Sequence, residues 1–257
     1  MTVEVIAVGP GGTRDAEVLR FRDMHSGYVF HVTTPEAHPE LWRRYLRGAL
    51  QVYRHYDVDH ALEYDKVENG CTTTLFCTAV DPSGEVVAGL RAQGPYSAVE
   101  DVHALGAWAG RPGADALRTM IAERIPEGVV EVKAVWVARN APRRSALTAA
   151  LSRCVVHATW LLDARFGFVT TASHSLELYR SSGGRVADRI PSVPYPDDRY
   201  HTVPVWWDTQ AYRSFATKLQ TSLIALEQAA LEAWHAQPHG GHRAGDHGSE
   251  DGRRYER

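Results

Sequence analysis

The stretch from residue 129 to residue 184 constrains this chain most. Val129 to Ala138 is apolar and β-branched, with EVKAVWVA at its centre, and reads as a strand. A helix is expected from about Ser145 to Phe166, then a second strand from Phe168 to Ala172. A short helix follows over Ser175 to Ser182, where Gly183 and Gly184 stop it, because glycine accepts the left-handed conformation that commonly ends a helix. A β-α-β-α unit of this kind implies a mixed α/β fold, with helices packed against a sheet.

The flanking sequence adds to that unit. Tyr28 to Thr33 reads as a strand. Pro35 to Tyr56 reads as a helix with Leu41, Tyr45, Leu46, Ala49 and Val52 on one face. Thr73 to Val80 and Glu85 to Gln93 surround the turn Asp81-Pro82-Ser83-Gly84 and predict a hairpin. A further helix is expected at Ala114 to Arg124, and a last strand at Thr202 to Trp207. From Thr209 to Ala236, Phe215, Leu219, Leu223, Leu226, Ala230 and Trp234 fall at helical spacing. That helix is expected to pack on the domain or to form an oligomer contact, such as a homodimer. The chain thus divides into an extension (1–27), a main domain (28–208), an amphipathic helix (209–236) and a polar tail (237–257). The tail composition predicts disorder. Its histidines, His239, His242 and His247, read as solvated or as weak metal binders.

Composition removes several functions. The chain has 257 residues, 44% hydrophobic and 23% charged, which is enough for a sizeable core. A net charge of -3 gives no basic field, so no nucleic-acid partner is expected. No run approaches the roughly 20 apolar residues of a bilayer span. Met1 to Gly12 has no basic region before it and does not read as a secretory signal. Cys71, Cys77 and Cys154 form no CxxC pair. They read as small buried hydrophobes in a reducing cytoplasm, with neither a disulfide framework nor a metal site expected. Gly-x-Ser-x-Gly and His-Glu-x-x-His motifs are absent, so nothing points to a hydrolase triad or a zinc protease.

Leu178-Tyr179-Arg180-Ser181-Ser182-Gly183-Gly184, after the strand FVTTAS, resembles the late A-x-x-LY-x-x-x-GF segment of the GNAT superfamily (the general N-acetyltransferase fold), with Gly184 where phenylalanine is usual. VWVARNAPRRSALTAAL (135–151) occupies that family's strand, phosphate loop and helix, with Arg143-Arg144-Ser145-Ala146 in place of Q/R-x-x-G-x-G/A. VYRHYDVDHALEYDKVENG, then GLRAQ, then EVKAVWV, resembles the acyl-homoserine-lactone synthase and N-acyl amino acid synthase branch. Ala134 stands where that branch has an arginine.

The resemblance implies a mostly antiparallel sheet, flanked by helices, with one splayed parallel strand pair. It also implies transfer of an acyl group from a thioester, of coenzyme A or of an acyl carrier protein, to an amine acceptor such as an amino acid. Val135, Trp136 and Val137 would run beside the pantetheine, while Arg139, Arg143, Arg144 and Ser145 would hold the anionic carrier. Arginine forks and the first turn of a helix both suit phosphate. A carrier protein's acidic surface suits the same arginines. Tyr179 is the candidate acid for the leaving thiolate, or a core aromatic. Glu131 is the candidate base, or a solvent-facing strand end, and His174 is a possible second proton carrier. Arg91 either pairs with Glu131 or holds a substrate carboxylate; Asp65 and Glu68 bind the acceptor's ammonium or are loop acids. His157 reads as a hydrogen-bonded core residue, and Trp108, Trp136, Phe168, Trp206 and Trp207 as core or as walls of an acyl tunnel. Long-chain N-acyl transfer, plain acetyl transfer and a non-catalytic carrier-binding or lipid-binding module are the competing functions.

Overall fold

In the computed structural model, residues 18–235 are described, with side chains to residue 233. The expected tail, and the extension before Val18, lie outside them.

The helix expected first, α1 (Pro39–His55), begins on a proline whose missing N–H costs nothing there. Glu40 near its start and Arg54 and His55 near its end suit the helix dipole. Its buried stripe, Trp42, Tyr45, Leu46 and Ala49, lies against the sheet. The strands before it are β1 (Leu19–Arg22) and β2 (Val29–Thr33), which pair antiparallel. After α1 and a short α2 (Tyr64–Val67) comes the hairpin β3 (Leu75–Val80) and β4 (Val86–Gln93). At its turn, the Asp81 carboxylate accepts the N–H groups of Ser83 and Glu85, both at 2.9 Å.

Helices α3 (Leu105–Trp108) and α4 (Ala114–Ala122) lead into β5 (Val129–Val137), α5 (Arg144–Leu161), β6 (Phe166–Ala172) and α6 (Leu176–Ser181). The chain continues with β7 (Arg185–Val186), β8 (Val193–Pro194), β9 (His201–Asp208) and α7 (Lys218–His235). Among the described residues the nine strands form one sheet, ordered β1-β2-β3-β4-β5-β6-β9-β7, with β8 also on β9. The pair β5–β6 is parallel; every other pair is antiparallel.

Helix α5 stops at Leu161, five residues before the periodicity suggests. Phe166 opposes Val129 in the parallel ladder, so strand pairing captures the residue that helical spacing claimed. Every residue of α5 from Ala150 to Thr159 is buried. A helix buried all round has neighbours on every side. These are the sheet, α6 and α7. The inward face of α7 is Gln220, Leu223, Ile224, Glu227 and Leu231, while Phe215 and Leu219, which the apolar spacing placed inward, are about half exposed. Phe215 precedes the helix and so does not share its face.

An ion network ties α5, α7 and the β1–β2 turn together. Arg153 donates from Nε and Nη2 to Glu227 at 2.8–3.0 Å, from Nη2 to Asp23 at 2.6 Å and from Nη1 to Gln220 at 2.6 Å. His157 Nε2 lies 2.7 Å from Glu227. The buried and hydrogen-bonded His157 is the core residue expected. A buried ion pair offsets its desolvation only when its polar atoms are bonded, and all three nitrogens of the Arg153 guanidinium are, although His157 Nδ1 bonds nothing.

The two sheet faces differ. Leu90, Val130 and Val132 point to the side of α5 and share a core with Leu147, Leu151 and Val155. Phe76 and Trp136 point to the side of α1, with Trp42 and Tyr45. Farther along that second face, Phe168 and Trp206 stack at 4.3 Å in a separate core with Trp108 and Leu117. The five aromatics named for a tunnel therefore lie in three cores, Trp207 being on the α5 side.

Candidate active site

The parallel pair opens partway along. Residues 129–132 of β5 pair with 166–169 of β6, and there the register ends, although β5 runs on to Val137 and β6 to Ala172. The cause is a bulge in β5. Arg91 opposes Lys133 and Gly89 opposes Trp136, so two residues of β5, Ala134 and Val135, face Leu90 alone. Ala134 has φ +47°, and its carbonyl accepts the Tyr45 hydroxyl at 2.8 Å. Bulges bend the strand that carries them. Trp136 then turns under α1, where only glycine fits at residue 48: a Cβ there would lie 2.1 Å from the indole. The Trp136 side chain is thus a wedge between sheet and helix, and only the backbone of Val135–Val137 borders the opening.

Charged groups gather on the α1 side of β4 and β5, at the seam between α1–α2 and α3–α4. The register puts Arg91, Gln93, Glu131 and Lys133 on one face. Glu131 is 1% exposed, and its Oε2 accepts the Tyr96 hydroxyl at 2.8 Å and the His103 N–H at 3.0 Å. His103 Nε2 also meets Glu63, which accepts Lys66 Nζ at 2.7 Å. Burial pushes the Glu63 carboxyl up, but Lys66 and His103 outweigh it and hold it below the usual range. Burial and the neighbouring Glu131 raise the Tyr96 phenol strongly. Burial brings the Lys133 ammonium down to about 8, against the pull of Glu131.

Glu63 also borders a groove of about 590 Å³ formed by α1, α2 and the segment between them, lined by Leu50, Arg54, Asp59, His60, Glu63, Tyr64, Asp65 and Lys66. Asp65 borders it as an exposed residue, whereas Glu68 is exposed outside it. Arg139, Arg143, Arg144 and Ser145 are exposed around the start of α5. Arg143 stands in the left-handed region at the N-cap, with no side chain capping the helix. First-turn amides left without a side-chain cap suit an anion.

Tyr179 lies on α6 beyond the opening, buried, with its ring edge-on to Trp207 and Thr171 acting on its phenol. Burial raises the phenol to about 12. Full transfer to a thiolate near ~8.5 is then uphill by roughly three pKa units, so the phenol suits a strong hydrogen bond to a leaving sulfur. The missing phenylalanine at residue 184 has a reason: a Cβ on Gly184 would lie 2.6 Å from the Trp207 ring, which fills that space. His174 is exposed beside Tyr200. The structure thus joins Arg91 and Glu131 in one cluster and leaves Asp65 at its outer edge. Tyr179 and Arg91 both act on the buried phenol of Tyr53, whereas the arginines around the start of α5 are exposed. Lys133, Glu63, Tyr96 and His103 were missed. Lys133 carried one usable signal, a charge two residues from Glu131 on the same strand face; the others sit in short irregular segments without periodicity.

No protein-family model matches the chain. The uncharacterized proteins Rv1356c of Mycobacterium tuberculosis and Mb1391c of Mycobacterium bovis are each 43% identical over 200 residues, 78% of this chain and 76% of the relative. The chain belongs to their family. Among solved structures, FeeM, an N-acyl amino acid synthase from uncultured soil microbes, is similar with a TM-score of 0.55 at 10% identity, over 76% of this chain and 96% of that one. BjaI, a CoA-dependent acyl-homoserine lactone synthase with SAM and isopentyl-CoA, is similar with a TM-score of 0.50 at 12% identity, over 81% and 99%. The chain therefore shares the fold of these two synthases, a GNAT-type sheet with one parallel strand pair. Among the described residues no helix is long and apolar enough to cross a membrane, and no cluster of three or more His, Cys, Asp or Glu is placed to hold a metal.

Proposed function

We propose that this protein is an N-acyltransferase, moving an acyl group from coenzyme A or an acyl carrier protein to the amine of an amino acid or related small molecule. The observation that carries the reading is the opened β5–β6 pair, with the uncapped start of α5 near its mouth and the buried Glu131 beside it. The backbone at residues 135–137 is suited to hold pantetheine and to polarise the thioester carbonyl; one donor aimed at such an oxyanion contributes about 3 kcal/mol. Arg139, Arg143, Arg144 and Ser145 bind the carrier's anionic end. Glu131 takes the acceptor's proton, directly or through water, and Tyr179 supports the leaving sulfur, with His174 as an outer proton carrier. Asp65, beside Glu63, faces the incoming amine, and Glu68 adds negative charge near it. The FeeM and BjaI likenesses support this chemistry. A cytoplasmic setting fits the three free cysteines, of which Cys77 and Cys154 are buried as expected while Cys71 is exposed.

A second reading is plain acetyl transfer. Trp136 filling the space under α1, and the division of the large aromatics among three cores, favour it. Mass spectrometry of products from an acyl-CoA series and a pool of amino acids and amines, with thiol release in parallel, separates the two. An N-acyl product with a long-chain optimum supports the first, and acetyl-only transfer the second. Thioester binding without thiol release would defeat both. In Tyr179→Phe, kcat is expected to fall at least tenfold with the acceptor KM nearly unchanged.

A further inference from the structure

Two cationic side chains at the seam lack the partners that burial demands. Arg91 and Lys133 oppose each other in register across β4 and β5. Arg91 is 2% exposed; its Nη1 reaches Thr73 Oγ1 at 3.4 Å, and its Nε bonds nothing. Lys133 Nζ is also buried and bonds nothing. The nearby carboxylates act on Lys133 through their charge without bonding it: Glu131 Oε2 is taken by Tyr96 and His103, and Glu63 by Lys66 and His103. A buried charged donor left unmade is costlier than a neutral one. Side chains directly opposed across an antiparallel pair start about 5 Å apart. One carboxylate, with two oxygens, can accept from both donors.

We infer that Arg91 Nε and Lys133 Nζ form a subsite for a carboxylate on the acceptor, and that this chain therefore selects amines that also carry a carboxylate. The inference rests on the acyl-transfer reading and narrows its acceptor. The surrounding charges fit a zwitterion: Glu131, Arg91, Glu63 and Lys66 all act on Lys133, two acids and two bases. Glu63 and Lys66 also line the groove, which puts the subsite on the acceptor's side rather than beside the arginines of α5. An entering carboxylate supplies the missing acceptor and restores the Lys133 proton that burial weakens. Lys133 is a specificity-determining residue in this account, and Glu131 remains the base.

The test uses the full chain with octanoyl-CoA, the L-amino acids and their matched carboxamides. Binding is followed by calorimetry and turnover by thiol release. Amino acids are expected to bind and react at least tenfold better than their carboxamides. Lys133→Met should abolish that preference and raise the acceptor KM at least tenfold, with the octanoyl-CoA KM unchanged. Lys133→Arg, which keeps a cationic donor, should retain most of the preference. Lys133→Gln serves as the second neutral variant if Lys133→Met fails to fold.

Equal use of acids and carboxamides by the unaltered chain would overturn the subsite while leaving acyl transfer intact. Thiol release absent with every acyl-CoA and with acyl carrier protein thioesters would instead defeat the acyl-transfer reading, and the calorimetric preference would still decide the subsite. If no amino acid binds, the subsite is wrong. It is also wrong if Lys133→Met alters only the use of dicarboxylic acyl-CoAs, because the carboxylate would then belong to the donor.

Discussion

Arg153 and Arg91 are both buried arginines, and the protein treats them in opposite ways. Arg153, between α5 and α7, bonds Asp23, Gln220 and Glu227 through its Nε, Nη1 and Nη2. Arg91, on the other face of the sheet, has a weak contact to Thr73 and an empty Nε, with the unbonded Lys133 Nζ opposite. The first cluster is closed: each charge is answered from within the chain. The second is open, and a fold that closes one such cluster so thoroughly has left the other available to something outside itself. Buried charge alone does not mark a site. Buried cationic donors left without an acceptor do.

Breaking the closed cluster should have the largest effect. Arg153→Ala leaves Asp23 and Glu227 buried without their cation, and is expected to cost about 3–5 kcal/mol, or a melting temperature lower by roughly 10 °C. Thermal unfolding checks it, and a loss below ~1 kcal/mol would dissolve the distinction drawn above.

The open cluster should respond in rate rather than in stability. Glu131→Gln still accepts hydrogen bonds from Tyr96 and His103, so unfolding should shift by less than about 1 kcal/mol. Acyl transfer should fall about 100-fold or more, the usual scale for a positioned base. Steady-state thiol release against calorimetric stability separates the two effects.

Gly48→Ala tests whether the bulge and its wedge hold the opening in place. Overpacking against Trp136 is expected to cost about 1–3 kcal/mol, with a rise in the acyl-thioester KM. Denaturant unfolding and initial rates measure both.

The smallest effect is a titration. The folded-state ammonium of Lys133 sits at about 8, below the ordinary lysine value of 10.5. Between those values the unfolded chain binds the extra proton, so stability should rise as pH increases through this window. The gain attributable to Lys133 is on the order of 1 kcal/mol once solvent screening is allowed for. Lys133→Met should remove that gain, and urea midpoints at pH 7.5 and 10 for the two chains compare it directly.

These clusters were unequally legible in the sequence. Glu131 and Arg91 were found through the resemblance of their strands to the synthase branch, which implies an acid and an arginine at those positions. Lys133 was passed over because a charge inside an apolar strand looks like ordinary alternation until the opposite strand is placed. Glu63 and His103 come from short irregular segments and meet only because the two helical layers on that face abut. Arg153 and Glu227 are 74 residues apart in the chain, and each looks like the polar edge of its own helix. Core strands and the hairpin were readable because period and turn chemistry are local. The end of α5 was not, because pairing with Val129 overrode a helical pattern that ran on to Phe166. The residue standing for the missing phenylalanine at 184 was hidden too: Trp207 reaches that space from a strand over twenty residues later.

The closed network also sets a schedule for the chain at birth. Asp23, Arg153 and Glu227 emerge from the ribosome in that order. At the usual pace of synthesis, the 74 residues from Arg153 to Glu227 take roughly 4–15 s to appear. Throughout that interval α5 carries a guanidinium whose principal counterion has not yet been made. The hydrophobic half of the molecule can gather, but it cannot seal. Maturation of this enzyme-like fold therefore waits on its last described helix, and a nascent chain lacking α7 should be the form that chaperones hold and proteases find.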